Sequence, residues 1–347
     1  MDFSTAISPH IKPRNRVDKM MLQVLLALIP GALAMIWFFG WGILFNLLVA
    51  SATAIACEAL ILKLRNKPVR STLCDLSALL TGILLALALP PLAPWWLAFV
   101  GTAFAIIIAK QLYGGLGYNP FNPAMIGYVV LLISFPQQMT AWIPPSTIAA
   151  TPSFLESLQL LLGLIPESLN IDAMTMATPL DTMKTELGIN RTTGEIMDNE
   201  LFGTFGGTGW EWIANAYLLG GIWLIYKRVI SWHIPVALLF GLTAISFIFF
   251  LTGPDSHPYP FFHLFSGAIM LGAFFIATDP VTASTTPKGR LIYGFLIGLL
   301  IYIIRSYGGY PDAVAFAVLI MNLTVPLIDY YTQPRVFGHA SENNHEQ

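Results

Sequence analysis

Residues 20–39 read MMLQVLLALIPGALAMIWFF, and no charged side chain interrupts them. About 20 consecutive apolar residues are enough to cross the hydrocarbon core of a bilayer as a helix. The preceding residues, 1–19, are polar and basic, and no small-residue cleavage site follows the apolar stretch. Residues 20–39 are therefore predicted to be a first membrane span and not a cleaved signal peptide.

The composition of the rest of the chain agrees with a membrane protein. Of its 347 residues, 56% are hydrophobic and only 10% are charged, whereas soluble domains carry about 25% charged residues. A deficit of this size indicates that most of the surface faces lipid. The predicted fold class is an all-α polytopic membrane protein. Its expected partners include membrane lipid but no nucleic acid.

Apolar runs between charges, prolines and glycines divide the chain into ten predicted membrane spans. They cover residues 20–39, 43–62, 76–89, 95–109, 121–135, 212–226, 234–251, 261–277, 291–304 and 313–328. Several are too short to cross a bilayer alone, which is typical of short or broken helices packed inside a bundle.

The distribution of Lys and Arg predicts the orientation. With the N-terminus inside, 14 of the 17 basic residues fall in inside loops, and the exceptions are Lys184, Arg191 and Arg305. Inside loops of membrane proteins are enriched in Lys and Arg. Both termini are therefore predicted to be cytoplasmic, in a bacterial inner membrane, and residues 136–211 to be periplasmic.

The two halves of the chain resemble each other. In the first half, Gly82 is followed eight positions later by Pro90, and in the second half Gly272 is followed eight positions later by Pro280. The string KQLYGG, which begins at Lys110, also matches RSYGG, which begins at Arg305. Five spans in each half predict a 5+5 inverted repeat, although small residues and prolines also serve helix packing alone. The predicted segments are a cytoplasmic N-terminus (1–19), a first repeat (20–135), a periplasmic loop (136–211), a second repeat (212–328) and a cytoplasmic tail (329–347).

Metal centres are not expected. The only cysteines are Cys57 and Cys74, which are too few for a four-cysteine iron–sulfur cluster, and the six histidines are scattered. No metal ligand and no catalytic residue is predicted, and no soluble nucleotide-binding motif is present.

The long loop contains the segment DAMTMATPL at residues 172–180. It resembles a flavinylation motif of a bacterial respiratory family, in which the last threonine forms a phosphoester with FMN. Asp172, Thr175, Ala177 and Thr178 match that motif, while Ala and Met stand at two positions where glycine is common. Pro179 biases Thr178 away from helix, as an accessible acceptor requires, and an ordinary Thr-Pro turn is the alternative.

Three further strings extend this resemblance to nearly the whole chain. They are KQLYGGLGYNPFNPAM at 110–125, TDPVTAS at 278–284 and GGYPD at 308–312. Together they resemble the D subunit of the Rnf-type ion-translocating complex, which is similar to the B subunit of the sodium-translocating NADH:quinone reductase. The resemblance implies FMN on Thr178, a second non-covalent flavin (riboflavin), partner subunits with iron–sulfur clusters and flavins, and a flavin-transferring enzyme for maturation.

Four polar residues near the membrane interior are further candidates. Asn119 and Asn122 lie at the start of the fifth span, where they either contact riboflavin or only cap the following helix. Glu58 and Asp279 lie at membrane depth, where ionisable residues are functional candidates. They either form part of an ion path, or pair with nearby cations and satisfy helix ends.

The sequence thus predicts a subunit of a translocase-type oxidoreductase that passes electrons through flavins and couples this to ion movement. A secondary transporter or channel without redox chemistry is the alternative, and a scaffold subunit that is not flavinylated is a third. Whether the coupling ion is H⁺ or Na⁺ is not encoded in any motif.

Overall fold

The computed structural model describes residues 17–164, 174–310 and 312–334. Within these ranges the regular secondary structure is helical, and the sole β-type pairing recorded there is an isolated bridge between Phe202 and Gly207. Five of these helices are long and apolar enough to cross a membrane, and shorter apolar helices accompany them. The predicted all-α, multi-pass membrane fold is confirmed.

The first half contains two long apolar helices, three shorter apolar ones and a five-residue helix. Its helices are α1 (Val17–Phe39), α2 (Trp41–Leu64), α3 (Val69–Leu73), α4 (Ser77–Ala86), α5 (Trp95–Phe104) and α6 (Pro123–Ser134). Helix α5 continues as a π-helix over Ala105–Gln111. Helix α4 has 10 residues and α6 has 12, so both are too short to cross a bilayer on their own, as predicted.

The long loop folds into short helices on top of the membrane helices. They are α7 (Pro136–Thr140), α8 (Phe154–Leu161), α9 (Pro179–Gly188) and α10 (Thr193–Met197). Leu180, Met183 and Phe202 of the loop form an apolar cluster with Phe262 of the second half. The loop is therefore anchored to the helices beneath it.

The second half contains α11 (Trp210–Tyr226), α12 (His233–Thr252), α13 (Pro260–Phe265), α14 (Ile269–Leu271), α15 (Pro287–Tyr307) and α16 (Val314–Thr332). Helix α14 continues as a π-helix over Gly272–Ile276.

Two predictions for the second half need correction. The span predicted at 261–277 is broken, because Ser266 has extended backbone and Gly267 has a φ of +70°. The spans predicted at 291–304 and 313–328 are longer than expected. Helix α15 starts at Pro287, with Thr286 as its N-cap residue, and continues past Arg305. The buried charge of Arg305 therefore does not end the helix.

The two halves pack with corresponding partners, as a repeat predicts. Helices α1 and α11, the first of each half, pack on each other, and so do α6 and α16, the last of each half. Within the halves, α2 packs against α4 and α5, and α12 packs against α13 and α15. The repeated glycines lie at tight contacts: a Cβ on Gly82 would lie 2.8 Å from the Ala50 carbonyl oxygen, and one on Gly272 would lie 2.5 Å from Val314.

Candidate functional site

Thr178 lines a cavity between the loop and both halves of the membrane domain, here called the loop cavity. It encloses about 970 Å³ of empty space, part of which is open to solvent. Met125 of α6, Leu271 of α14 and Val314 of α16 contribute to its walls. The cavity therefore lies where the two halves meet.

Thr178 is the N-cap residue of α9. Its backbone is extended (φ −67°, ψ 158°), Pro179 begins the helix, and the Thr178 hydroxyl accepts a hydrogen bond of 3.3 Å from the Asp181 amide. The predicted non-helical conformation is confirmed, and the Thr-Pro pair starts a helix instead of forming an ordinary turn. The half-buried hydroxyl lies at the positive end of the helix dipole, where phosphate groups bind favourably.

The neighbouring motif residues approach the same cavity. The Met176 amide donates to the Trp142 carbonyl oxygen at 2.8 Å, which holds the segment against the cavity wall. Thr175 is half-buried beside it and Ala177 is exposed. Asp172 lies outside the described residues.

Aromatic rings form one side of the loop cavity. The rings of Trp142 and Trp210 lie 5.1 Å apart, and both contact Phe39, at 5.7 Å and 5.0 Å. Tyr128 and Tyr310 line the cavity as well. Trp210 belongs to this wall, whereas its neighbour Trp212 is exposed.

A buried arginine supports the other side. The Arg305 guanidinium donates to the carbonyl oxygens of His263 (2.8 Å) and Ser266 (3.1 Å) and pairs with Asp312 at 3.3 Å. Asp312 also accepts from the Ala268 amide at 3.0 Å. Arg305 was predicted to lie in an outside loop; it is buried, and it holds the break between α13 and α14 in shape.

The break brings the loop close to this arginine. A Cβ on Gly267 would lie 2.6 Å from Leu180, 2.9 Å from Asp312 and 3.0 Å from Arg305, so this left-handed position admits glycine alone. Lys184 of α9 also bonds the Gly308 carbonyl oxygen, and burial is the main cause that lowers the pKa of its ammonium. The loop and the second half thus form one wall.

These residues fit an FMN attached to Thr178. The apolar, aromatic lining of the loop cavity suits a flat ring system. The acceptor hydroxyl lies at the cavity edge, and a helix N-terminus is available for phosphate. No group of His, Cys, Asp and Glu within the described ranges could hold a metal ion.

A second cavity, here called the asparagine cavity, lies near the other end of α6. It encloses about 780 Å³, including open solvent, and Lys110, Asn119, Asn122 and Asp279 line it. Candidate residues that are up to 160 positions apart in the chain thus meet at one site.

The Asn122 side chain has two roles. Its oxygen accepts from the Met125 amide at 3.2 Å and so caps α6, and its nitrogen donates to the Ile276 carbonyl oxygen at 3.5 Å. Asn119 does not cap the helix: it donates to Phe121, and its own oxygen is buried without a partner. The capping alternative is therefore correct for Asn122 only, while contact with riboflavin stays a prediction for both.

Glu58 is fully buried and paired with Lys110 at 2.7 Å. The Gln111 amide donates to the same carboxylate oxygen at 2.7 Å. Consecutive residues on a regular α-helix, such as Lys110 and Gln111, point in different directions and do not contact the same side chain. Here they do, because residues 105–111 form a π-helix, a distortion common at functional sites. The structure therefore shows the predicted pairing of Glu58 with a nearby cation. The role of Glu58 in an ion path stays a prediction.

Asp279 is half-buried at the end of the broken span. Its carboxylate accepts from the Thr282 hydroxyl at 3.0 Å and the Val281 amide at 3.3 Å. It shares the asparagine cavity with Lys110 and interacts with it electrostatically. Both predicted ion-path residues therefore interact with the same lysine.

A thin partition separates the two cavities. Ala124 lines the asparagine cavity and Met125 the loop cavity; likewise Phe275 lines the former and Ile276 the latter. Neighbouring Cα atoms are only about 3.8 Å apart. At these two points a single layer of residues divides the cavities.

Sequence reasoning missed Asn322, which joins this partition to the second half. Its side chain accepts from the Asn122 amide (3.2 Å) and donates to Thr282 and Tyr293 (3.1 and 2.9 Å). An asparagine within an apolar span was the available signal, since such residues usually bond across helices.

Nearly the whole chain is similar to known proteins. Residues 4–338 match the family model for the NQR2, RnfD, RnfE family. The D subunit of the ion-translocating oxidoreductase complex of Escherichia coli O127:H6 (strain E2348/69 / EPEC) is 55% identical over 349 residues, which cover 98% of this chain and 99% of that protein. The Escherichia fergusonii protein of the same name has the same identity and coverage.

Proposed function

Because the chain belongs to the NQR2, RnfD, RnfE family, we propose that it is the D subunit of an ion-translocating oxidoreductase complex. In this proposal FMN is attached to Thr178 through a phosphoester and occupies the loop cavity. Riboflavin occupies the asparagine cavity without a covalent bond. The chain is then one electron-transfer component and not a complete enzyme.

The observation that carries this proposal is the position of Thr178. The hydroxyl that the motif marks as an acceptor lies at an aromatic cavity, and that cavity is one residue layer from a second one. A flavin supplies the ability to accept and release electrons one or two at a time.

The chain's own residues provide position and environment. Thr178 acts as a tether and not as a catalyst, and the α9 N-terminus compensates phosphate charge. Trp142 and Trp210 provide an aromatic surface on one side of the cavity. In the other cavity, the unpartnered oxygen of Asn119 is available as a hydrogen-bond acceptor for a ring N–H.

Ion movement is assigned to the side of the asparagine cavity. Glu58 pairs with Lys110 and Asp279 interacts with it electrostatically, so charge entering that cavity acts on both carboxylates. The proposed setting is a bacterial inner membrane with cytoplasmic termini and a periplasmic loop, supported by the distribution of basic residues. Iron–sulfur and flavin subunits are the proposed partners, and a flavin-transferring enzyme attaches the FMN.

The test is in-gel flavin fluorescence of the denatured protein, produced in cells that contain the flavin-transferring enzyme. The wild-type band should fluoresce and Thr178→Ala should be dark. Thr185→Ala, which changes an exposed threonine of α9 outside the motif, should stay fluorescent as the matched control. A dark wild-type band would reject the covalent flavin and favour a transporter without redox chemistry.

A separate measurement tests the second flavin. Acid extraction of the native protein should release one riboflavin per chain, and Asn119→Leu should release less while keeping the fluorescent band. Equal release from the variant would reject Asn119 as a contact.

A further inference from the structure

Helix α8 of the long loop packs against α2. Helix α2 begins on the loop side of the membrane, because the Ser146 amide of the loop donates to the Phe38 carbonyl oxygen, next to the start of α2, at 2.7 Å. The Phe154 ring of α8 lies 5.5 Å from the Trp41 ring in the first turn of α2 and 5.3 Å from the Phe45 ring one turn deeper. Phe154 therefore points along α2 toward the membrane interior.

The sides of α8 differ in chemistry, because successive residues of a helix are turned by about 100°. Ser157 and Leu160 are buried and lie on one side. A second side, here called the apolar stripe, consists of Phe154, Leu155, Leu158, Leu161 and Leu162. Glu156 and Gln159 form a third, polar side, which lies opposite Phe154 and Leu161. This polar side therefore faces away from the membrane interior.

The rest of the described chain leaves much of the apolar stripe uncovered. Leu155 and Leu162 are 62% and 57% exposed, and no side chain of the stripe contains a polar atom. The ionisable residue of α8, Glu156, accepts from the Ser153 amide at 2.9 Å in a capping box. Protein–protein contacts carry about one hydrogen bond per 100–200 Å². A stripe without polar side-chain atoms fits lipid acyl chains better than a protein partner.

The apolar stripe continues the lipid-facing side of α2. Helix α2 is long and apolar enough to cross a membrane, and Trp41, Leu48 and Ile55 are exposed on it at intervals of seven residues, which places them on one side. Trp41 also contacts Phe154 of the stripe, so the two surfaces meet. Exposed tryptophans at the ends of membrane helices, here Trp37 and Trp41, mark the membrane–water interface. Helix α8 therefore lies at the level of that interface.

We infer that α8 is an interfacial anchor. It lies in the plane of the membrane surface, with its apolar stripe among the acyl chains of the leaflet on the loop side and with Glu156 and Gln159 in water. Interfacial helices bury their apolar side about 5–10 Å into the boundary between headgroups and acyl chains. The anchor holds the loop at the first half, as the apolar cluster around Phe262 holds it at the second. It requires no flavin, so its failure would leave the proposed function untouched.

The first test uses the wild-type chain within its assembled complex, in vesicles of phosphatidylethanolamine and phosphatidylglycerol. A phospholipid with a photoactivatable diazirine on its acyl chain is added and illuminated, and labelled peptides are identified by mass spectrometry. Peptides from α8 should carry the label, as peptides from α2 do. Helix α9 belongs to the same loop but packs against the second half, and it should stay unlabelled as the matched control.

Two outcomes of this labelling would overturn the anchor. Absence of label from α8 together with labelling of α2 would mean that the apolar stripe does not reach the acyl chains. Labelling of α8 in the isolated chain but not in the complex would mean that a partner protein covers the stripe instead of lipid.

A second measurement tests the orientation of α8. Leu161 and Gln159 are both half-buried and lie two residues apart, on opposite sides of the helix. Leu161→Cys and Gln159→Cys are each made in a Cys74→Ser background, since Cys57 is buried, and labelled with a fluorophore. A nitroxide-labelled lipid should quench the label at position 161 at least about twofold more strongly than the label at 159, because a helix is about 10 Å across. Iodide in the water should quench them in the reverse order. Equal quenching by lipid at both positions would refute the anchor, and Leu155→Cys replaces Leu161→Cys if that variant does not fold.

Discussion

Replacement of Arg305 by methionine is expected to lower the free energy of unfolding by about 3–5 kcal/mol, the usual cost of breaking a buried ion pair from one side. The Arg305 side chain is 3% exposed, and its bonds of 2.8, 3.1 and 3.3 Å reach two backbone carbonyls and Asp312. Because methionine fills a similar volume, the decrease in the free energy of unfolding is due to the three lost hydrogen bonds and not to a new cavity.

Arg305→Lys separates charge from geometry. A lysine keeps the positive charge but cannot present the planar fork that reaches three acceptors. With one acceptor kept and two lost, at about 1.5–3 kcal/mol for each charged hydrogen bond, the loss should be at least about 3 kcal/mol. If only the positive charge mattered, Arg305→Lys would not lower the free energy of unfolding.

Denaturant unfolding of the detergent-solubilised protein, followed by tryptophan fluorescence, measures both variants. Arg191→Met is the matched control, since Arg191 pairs with Glu186 at 3.0 Å but is 59% exposed; exposed pairs contribute about 0–1 kcal/mol. If Arg305→Met lost no more than Arg191→Met, the claim that Arg305 holds the broken span together would be refuted.

Three other outcomes follow from the geometry. Gly42→Ala would place a Cβ 1.9 Å from the Pro91 carbonyl oxygen and should cost about 1–3 kcal/mol by overpacking, whereas Gly188→Ala, with open space around it, should not lower the unfolding free energy. Asn122→Ala should cost about 1 kcal/mol through loss of the α6 cap, measured in the same unfolding assay. Hydrogen bonds of its capping box lower the pKa of Glu195, so its contribution to stability is present at neutral pH and lost as pH falls below its ordinary value. Amide protection in α10 should decrease there, and Glu195→Gln should not show that dependence.

The sequence was sufficient to predict the all-α class and the position of several apolar helices. Composition decided the class, and proline and glycine punctuation located short helices such as α4 and α6 within three residues. The shared motif around Lys110 and Arg305 marked two helix ends that both prove to be buried and bonded. These features are local, so single-sequence patterns contain them.

Features that depend on tertiary contacts were not predictable. Hydropathy gives one continuous span at 261–277, because Ser266 and Gly267 do not lower the window average enough to reveal the break. The π-helix at 105–111 leaves no compositional signature. Trp210 has the same sequence context in a membrane interface as in a cavity wall, and only packing against Phe39 and Trp142 distinguishes the two.

The thin partition between the cavities has an electrical consequence. Helix α6 begins at the asparagine cavity, and the loop cavity extends along it from Met125 to Leu132. That distance is a rise of about 10 Å, or about a third of a hydrocarbon core of about 30 Å. A charge that passes from one cavity to the other therefore crosses part of the membrane voltage, which is worth about 2.3 kcal/mol per elementary charge for a full 100 mV. With the proposed flavins in the two cavities, the electron equilibrium between them should shift with the applied membrane potential.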